Sequence, residues 1–253
     1  MNELIYYGTY FILTLIFSTI FATGGVGSAI VLVPLFNSLG LPLNVAKAFG
    51  LFINSMSTIT ASIMNFLRGV LNIRATLPLA ISSIIGAPIG AYSSKFIPPV
   101  YVKILLALFI ILAVFLMFKK KKEAKFHYTK QWVMVALGLS VGFLSGLMGV
   151  GGGSLILPAL ILLGFDAKVS AYMVSFVLPF STLSGFFTYL SITRIDWLML
   201  LNVSAAAILG GYLGDKIMHY CLTPQQVKKL IAVILILLDI KIIYSILHYY
   251  HLV

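Results

Sequence analysis

Two glycine-rich runs hold the residues of this chain best suited to chemistry. They are Gly24-Gly25-Val26-Gly27-Ser28 and Gly149-Val150-Gly151-Gly152-Gly153-Ser154, each lying between a long apolar stretch and a short one. Glycine adopts positive φ and lets other groups approach the main chain closely. A helix that starts there leaves N–H donors unpaired, and its dipole adds partial positive charge. In lipid, such free backbone groups persist only inside protein or facing a cavity. Two such tips could therefore converge on one bound anion. The alternative is a close-packed turn that holds no ligand. Neither run continues into Gly-Lys-Ser/Thr or follows a strand, which excludes a P-loop and a dinucleotide fingerprint.

Neutral donors for the same anion lie on the third apolar stretch of each half. They are Asn54, Ser55, Ser57, Thr58, Thr60 and Asn65 in the first, and Ser175, Ser181, Thr182, Ser184 and Thr188 in the second. Most such hydroxyls bond back to their own helix or join neighbours, but an amide at Asn54, mid-membrane, is costly unless paired. The candidate binding set is Gly25, Gly27, Ser28, Asn54, Ser57, Thr58, Gly151, Gly152, Gly153, Ser154, Ser175, Ser181 and Thr182. Pro34 and Pro158 are expected to break or kink the short helices. Arg68 and Arg74 are expected to anchor topology, Lys47 to sit at an outer mouth, and Asp239 is a candidate carrier of a coupling proton. On this reading the membrane interior holds almost no ionised side chain, so backbone amides and hydroxyls do most of the holding. A single cysteine, Cys221, excludes an internal disulfide. No metal, haem or other cofactor is expected.

The elements that must position these groups follow from composition. Of 253 residues, 61% are hydrophobic and 9% charged, with mean hydropathy +1.10. A soluble domain carries about 25% charged residues, so a soluble or disordered chain is excluded. At roughly 20 residues per span, the length suits about eight to ten membrane segments. The net charge of +11 reports topology rather than nucleic acid. Apolar runs fall at Leu4–Thr23, Ser28–Leu39, Ala46–Leu67, Ala75–Ser94 and Val100–Phe118. After a Lys-rich linker they fall at Trp132–Met148, Ser154–Leu163, Val169–Ile192, Trp197–Met218 and Val227–Leu247.

The order of lengths repeats, and a shift of 124 residues superimposes the halves. It places Gly25-Val26-Gly27 on Gly149-Val150-Gly151, Pro34 on Pro158, Gly40 on Gly164, and Ser57-Thr58 on Ser181-Thr182. Asn72 falls on Asp196, and Gly86-x-x-x-Gly90 on Gly210-x-x-x-Gly214; the glycine pairs are expected to pack helices. The predicted organisation is a first repeat over 1–118, a basic linker over 119–130 and a second repeat over 131–253. The short second segment cannot span alone, so it forms a hairpin with the first and leaves three spans per half. Three crossings invert the second repeat. The predicted fold is therefore an all-α polytopic membrane protein of two inverted-topology repeats, each a Gly-tipped helical hairpin plus three transmembrane helices. That is the plan of secondary transporters with a midplane site. The six lysines of the linker place it in the cytoplasm and both termini outside, and the N-terminus is expected to be retained as a first helix.

The paired runs GVGSAIVLVP and GVGGGSLILP, followed in order by the polar-dotted helix, the Asn72 or Asp196 loop and the G-x-x-x-G helix, resemble the sulfite exporter TauE/SafE family of membrane transporters. The resemblance covers nearly the whole chain. It implies movement of small sulfur-containing anions such as sulfite, sulfoacetate or thiosulfate. The chain departs from the family where members often carry histidine near the end of the third segment; here Asn65 and Tyr189 stand. At its start, members often carry Gly/Ala-Thr-Ser, of which only Ser175 keeps a hydroxyl. The expected function is a cell-membrane permease working by alternating access, with a passive anion channel as the alternative. Catalytic clusters are lacking, so no enzyme is expected. Expected partners are the anion, a coupling proton or Na+ and membrane lipid, without nucleic acid. A homo-oligomer is left open.

Overall fold

The computed structural model describes residues 3–93, 131–148, 151–191 and 193–249, with isolated positions between 96 and 115. The Lys-rich linker, Gly149-Val150 and most of the fifth apolar run lie outside the described residues. Among those described, every regular element is an α-helix, in the order α1 (Glu3–Thr23), α2 (Ala29–Ser38), α3 (Leu43–Leu67), α4 (Ile73–Ser93), α5 (Gln131–Met148), α6 (Gly153–Leu162), α7 (Ala167–Leu190), α8 (Trp197–Tyr220) and α9 (Pro224–Tyr249). Five of them, α1, α4, α7, α8 and α9, are long and apolar enough to cross a membrane. Their outward faces carry large apolar side chains at helical spacing, such as Ile12, Ile16 and Ile20 on α1 and Ile81, Ile85 and Ile89 on α4. Water would not tolerate such continuous stripes, whereas lipid does. This is a multi-pass membrane protein.

The helix α3 has 25 residues but is not among the five apolar spans. Its Asn54, Ser55, Ser57, Thr58 and Asn65 are the reason, and all five are buried against other helices. The neighbours of α3 are α7, α8 and α2. It runs antiparallel to α7: the Lys47 ammonium lies 5.6 Å from the Tyr189 ring centre at one end, and Asn65 Nδ2 donates to Ser175 Oγ at 3.3 Å at the other.

The short helices α2 and α6 have 10 residues each, about 15 Å at 1.5 Å per residue. They lead into the starts of α3 and α7, and therefore enter from opposite ends of the bundle. Both stop in the same way. Gly40 and Gly164 take φ of 102° and 100°, and the following residues bond back across the last turn, Leu41 N–H to Phe36 O at 3.0 Å and Phe165 N–H to Leu160 O at 3.1 Å, closing a Schellman motif. Pro34 and Pro158 lie inside α2 and α6 rather than ending them. Neither proline ends its helix: each is the sixth of ten residues and removes one main-chain bond from the interior of the helix, which continues past it.

Glycine packs the two strongest long-helix contacts. On α4, a Cβ at Gly86 or Gly90 would strike the main chain of α5 at Leu139 and Phe143. On α8, a Cβ at Gly210 or Gly214 would strike the main chain of α1 at Leu15 and Thr19. The helix axes approach because no side chain stands between them, which is how membrane helices gain dispersion contact without a hydrophobic drive. Replacing Gly90 by leucine is expected to force α4 from α5, with a loss of about 2 kcal/mol or more. Thermal unfolding in detergent would read this as a clear drop in Tm; an unchanged Tm would contradict the contact.

Candidate functional site

The two glycine tips meet at the ends of α2 and α6. Gly25 and Gly151 hold φ of 67° and 81°, left-handed values that other residues rarely adopt, and so turn each chain into its short helix. Neither helix start is capped by the side chain of its N-cap residue, so its first N–H groups gain no acceptor from it. The tips are in contact: a Cβ at Gly153 would lie 2.9 Å from Gly27 N.

Asn54 of α3 is wedged between them. A Cβ at Gly27 would fall on its amide, and a Cβ at Gly151 would fall on its Nδ2. The side chain is 1% exposed, and neither Nδ2 nor Oδ1 has a hydrogen-bond partner among the described residues. An unpaired buried amide costs about 1–3 kcal/mol. Gly27 thus lies against the whole amide and Gly151 against its nitrogen, with no partner for either polar atom among the described residues.

The remaining candidate residues divide by position. Thr182 closes the α7 side of the junction, its Oγ1 2.6 Å from Ser55 Oγ and bonded back to Leu178 O. Gly25, Ser57, Thr58 and Ser175 line a small cavity beside the tips, together with Ala22, Val26, Ala61, Ala171, Asp215 and Met218. It is small, with room for roughly one water. Thr58 donates to Asn54 O at 2.6 Å and Ser175 to Tyr172 O at 2.7 Å, the back-bonding expected of membrane hydroxyls. Four residues stand at neither place. Gly152 faces Val141 and Ser145 of α5, Ser28 Oγ lies 3.3 Å from Ser18 Oγ of α1, Ser181 donates to Leu178 O, and Ser154 is buried in the first turn of α6.

The floor of the cavity corrects the expectation of an interior without charge. Asp215 of α8 has no exposed surface, and its Oδ2 accepts from Arg68 Nη1 in an ion pair. Asn65 Nδ2 donates to Asp215 Oδ1 at 3.0 Å, and Arg68 Nη1 lies 3.4 Å from Asn65 Oδ1. The other face of the guanidinium stacks 5.2 Å from the Tyr220 ring centre. Arg68 is therefore part of the interior and not only a surface anchor. The signal for Asp215 was present: it follows Gly214 of the G-x-x-x-G pair, whose packing holds this stretch inside the bundle. An acid inside a span is a functional candidate by default. Asp239 of α9 is also buried, with Oδ1 unpaired among the described residues, but it does not line the cavity.

Comparison with known proteins follows this geometry. The model of the family described as "Sulfite exporter TauE/SafE" matches residues 10–242. A Bacillus subtilis protein named "Probable membrane transporter protein YunE" is 29% identical, over 92% of this chain and 96% of that protein. A Methanocaldococcus jannaschii protein named "Probable membrane transporter protein MJ0441" is 28% identical over 66% of each chain. A Sinorhizobium protein named "Probable membrane transporter protein ORF9" is 24% identical over 86% of this chain and 85% of its own. No solved structure matches the chain.

Removing one member of the buried pair leaves the other uncompensated. Arg68→Gln is expected to destabilise the protein by about 3–5 kcal/mol, and adding Asp215→Asn should restore most of the loss. Chemical or thermal unfolding of the single and double variants checks this; a double variant no more stable than Arg68→Gln would contradict the pairing.

Proposed function

The chain belongs to the sulfite exporter TauE/SafE family, and from that premise we propose that it is a secondary transporter of small anions, of the sulfite and organosulfur oxyanion class. The anion is held at the junction of the two tips by the Asn54 amide and the N–H groups at the starts of α2 and α6. The observation that carries this reading is Asn54, a buried amide with both polar atoms unpaired among the described residues, between two uncapped helix starts. A sulfur oxyanion would accept from Asn54 Nδ2 and from the main-chain N–H groups, and would benefit from both helix dipoles. Ser57 would follow it with a hydroxyl donor as the tips part, joined by Thr58, Ser175 and Thr182 once these release the carbonyls they bond.

The inverted duplication belongs to the same proposal. Supporting it is the exchange of partners: Gly86 and Gly90 of α4 meet Leu139 and Phe143 of α5, while Gly210 and Gly214 of α8 meet Leu15 and Thr19 of α1. Each position differs from its counterpart by 124, with the halves swapped. Two short helices of about 15 Å each, entering from opposite ends, meet halfway through a hydrocarbon core of about 30 Å. Such a site is reached from each side in turn by rocking one repeat against the other. We place the Lys-rich linker in the cytoplasm, so that Arg68 and Asp215 lie on the cytoplasmic side of the junction. No chemical step is assigned to the protein.

The test is uptake of labelled thiosulfate and sulfite into proteoliposomes. Wild type is expected to show saturable flux and trans-stimulation by unlabelled anion on the far side, which a passive channel lacks. Asn54→Leu keeps the volume and removes the donor. It is expected to lower the rate at least tenfold while raising Tm, because the unpaired amide is gone. Undiminished transport by a folded Asn54→Leu protein would contradict the site.

A further inference from the structure

The Arg68–Asp215 pair lies beside the proposed anion site, reaching the adjoining cavity through Asp215, and its charges cancel. Asp215 lines that cavity beside Gly25, Ser57, Thr58 and Ser175. It is wholly buried, while the Arg68 side chain is 15% exposed. Both carboxylate oxygens are engaged, one by Arg68 and one by Asn65. Asn65 in turn donates to Ser175 Oγ, so the network ties the ends of α3 and α8 to the wall of the cavity on α7.

A bare anion that passes from the tips into this adjoining cavity meets a neutral wall, because Arg68, the cation behind Asp215, is already paired with it. If the anion takes the guanidinium, Asp215 is left as a buried carboxylate with no cation, a costly arrangement. Charge is restored by a single event. We propose that Asp215 carries the coupling proton: an anion that binds displaces the carboxylate from Arg68, and the freed carboxylate takes one proton from solution. The exchange balances, since the empty site plus one anion and one proton gives an Arg68–anion pair and a neutral Asp215 carboxyl, which still accepts from Asn65. The proton thus cancels one unit of the anion's negative charge during the crossing. This inference rests on the anion reading above and names its coupling ion.

The groups that face Asp215 are few. From α3 come Arg68 and Asn65. From α7 come Ser175, Tyr172, which bonds His219 Nδ1 at 2.9 Å, and Lys168, which donates to His219 O at 3.0 Å. Its own helix contributes Lys216, His219 and Tyr220, and α1 brings Thr19, Ala22 and Thr23, none of them titratable in this range. His219 is the one other group that ionises near neutral pH, so it is the control.

The experiment uses the purified full chain in weakly buffered detergent solution with a pH indicator. It is titrated with thiosulfate and, separately, sulfoacetate, both fully ionised near neutral pH, so that any proton goes to the protein. Wild type should take up one proton per anion bound, and its affinity should rise about tenfold for each unit the pH is lowered. Asp215→Asn should take up none and bind with flat pH dependence, whereas Asp215→Glu and His219→Gln should behave as wild type. If Asp215→Asn does not fold, the Arg68→Gln, Asp215→Asn double variant should show the loss of both proton uptake and anion affinity. Binding by wild type with no proton uptake, or uptake that persists in Asp215→Asn, would overturn the proposal and leave the anion site standing. Failure of folded wild type to bind either anion would overturn both.

Discussion

A buried amide is hard to keep in a membrane protein, and Asn54, without a partner among the described residues, is held by the approach of two glycine tips. Any side chain at Gly27 or Gly151 would occupy the amide's place. The glycines therefore serve two ends at once: they turn the chain at left-handed φ, and they bring bare main chain against Asn54. The two uncapped helix starts, the unpaired amide and the cavity beside them follow from that one packing arrangement. Leaving the amide unpaired is costly, and on the proposed function that cost is recovered when the anion supplies the missing acceptor.

The two ends of the bundle are closed by different forces. Toward the start of α3, the seal is apolar: Tyr10, Phe36, Phe49, Leu51, Ile53 and Phe186 pack with almost no exposed surface. Toward the end of α3, the seal is the Arg68–Asp215–Asn65 network under Tyr220. Apolar packing yields to a rocking motion without regard to ligand charge, whereas an ion pair yields when a competing anion arrives. On the proposed function, this asymmetry gives the carrier one side that responds to substrate and proton and another that responds only to the motion.

Much of this was legible in the sequence. The repeated spacing of Gly40 and Gly164 anticipated matching helix stops, since only a residue tolerant of positive φ ends a helix in that way. The glycine pairs at 86/90 and 210/214 anticipated close helix contact, because small residues at that spacing leave a groove. Asn54 stood out as an amide in an apolar run. What remained hidden was which face each residue presents. Gly152 belongs to the same glycine run as Gly153, yet it turns toward α5, and one-residue differences of this kind are set by the rotation of the helix. Asp215 drew no reading of its own from the sequence, where it stands beside Lys216 near the end of an apolar run. Only the packing of Gly210, Gly211 and Gly214 against α1 and α3 draws that turn inward and carries the carboxylate to Arg68. Long-range pairing between residues 147 apart in the chain has no local signature.

The account stands or falls on where an oxyanion binds. Crystals grown with selenate, an oxyanion shaped like sulfate, would locate it directly by anomalous scattering from selenium. The predicted result is a peak between Gly27, Gly153 and Asn54, with a selenate oxygen within hydrogen-bond distance of Asn54 Nδ2 and the tips parted to admit it. A peak elsewhere in the protein, with Asn54 still enclosed between touching tips, would contradict the central claim.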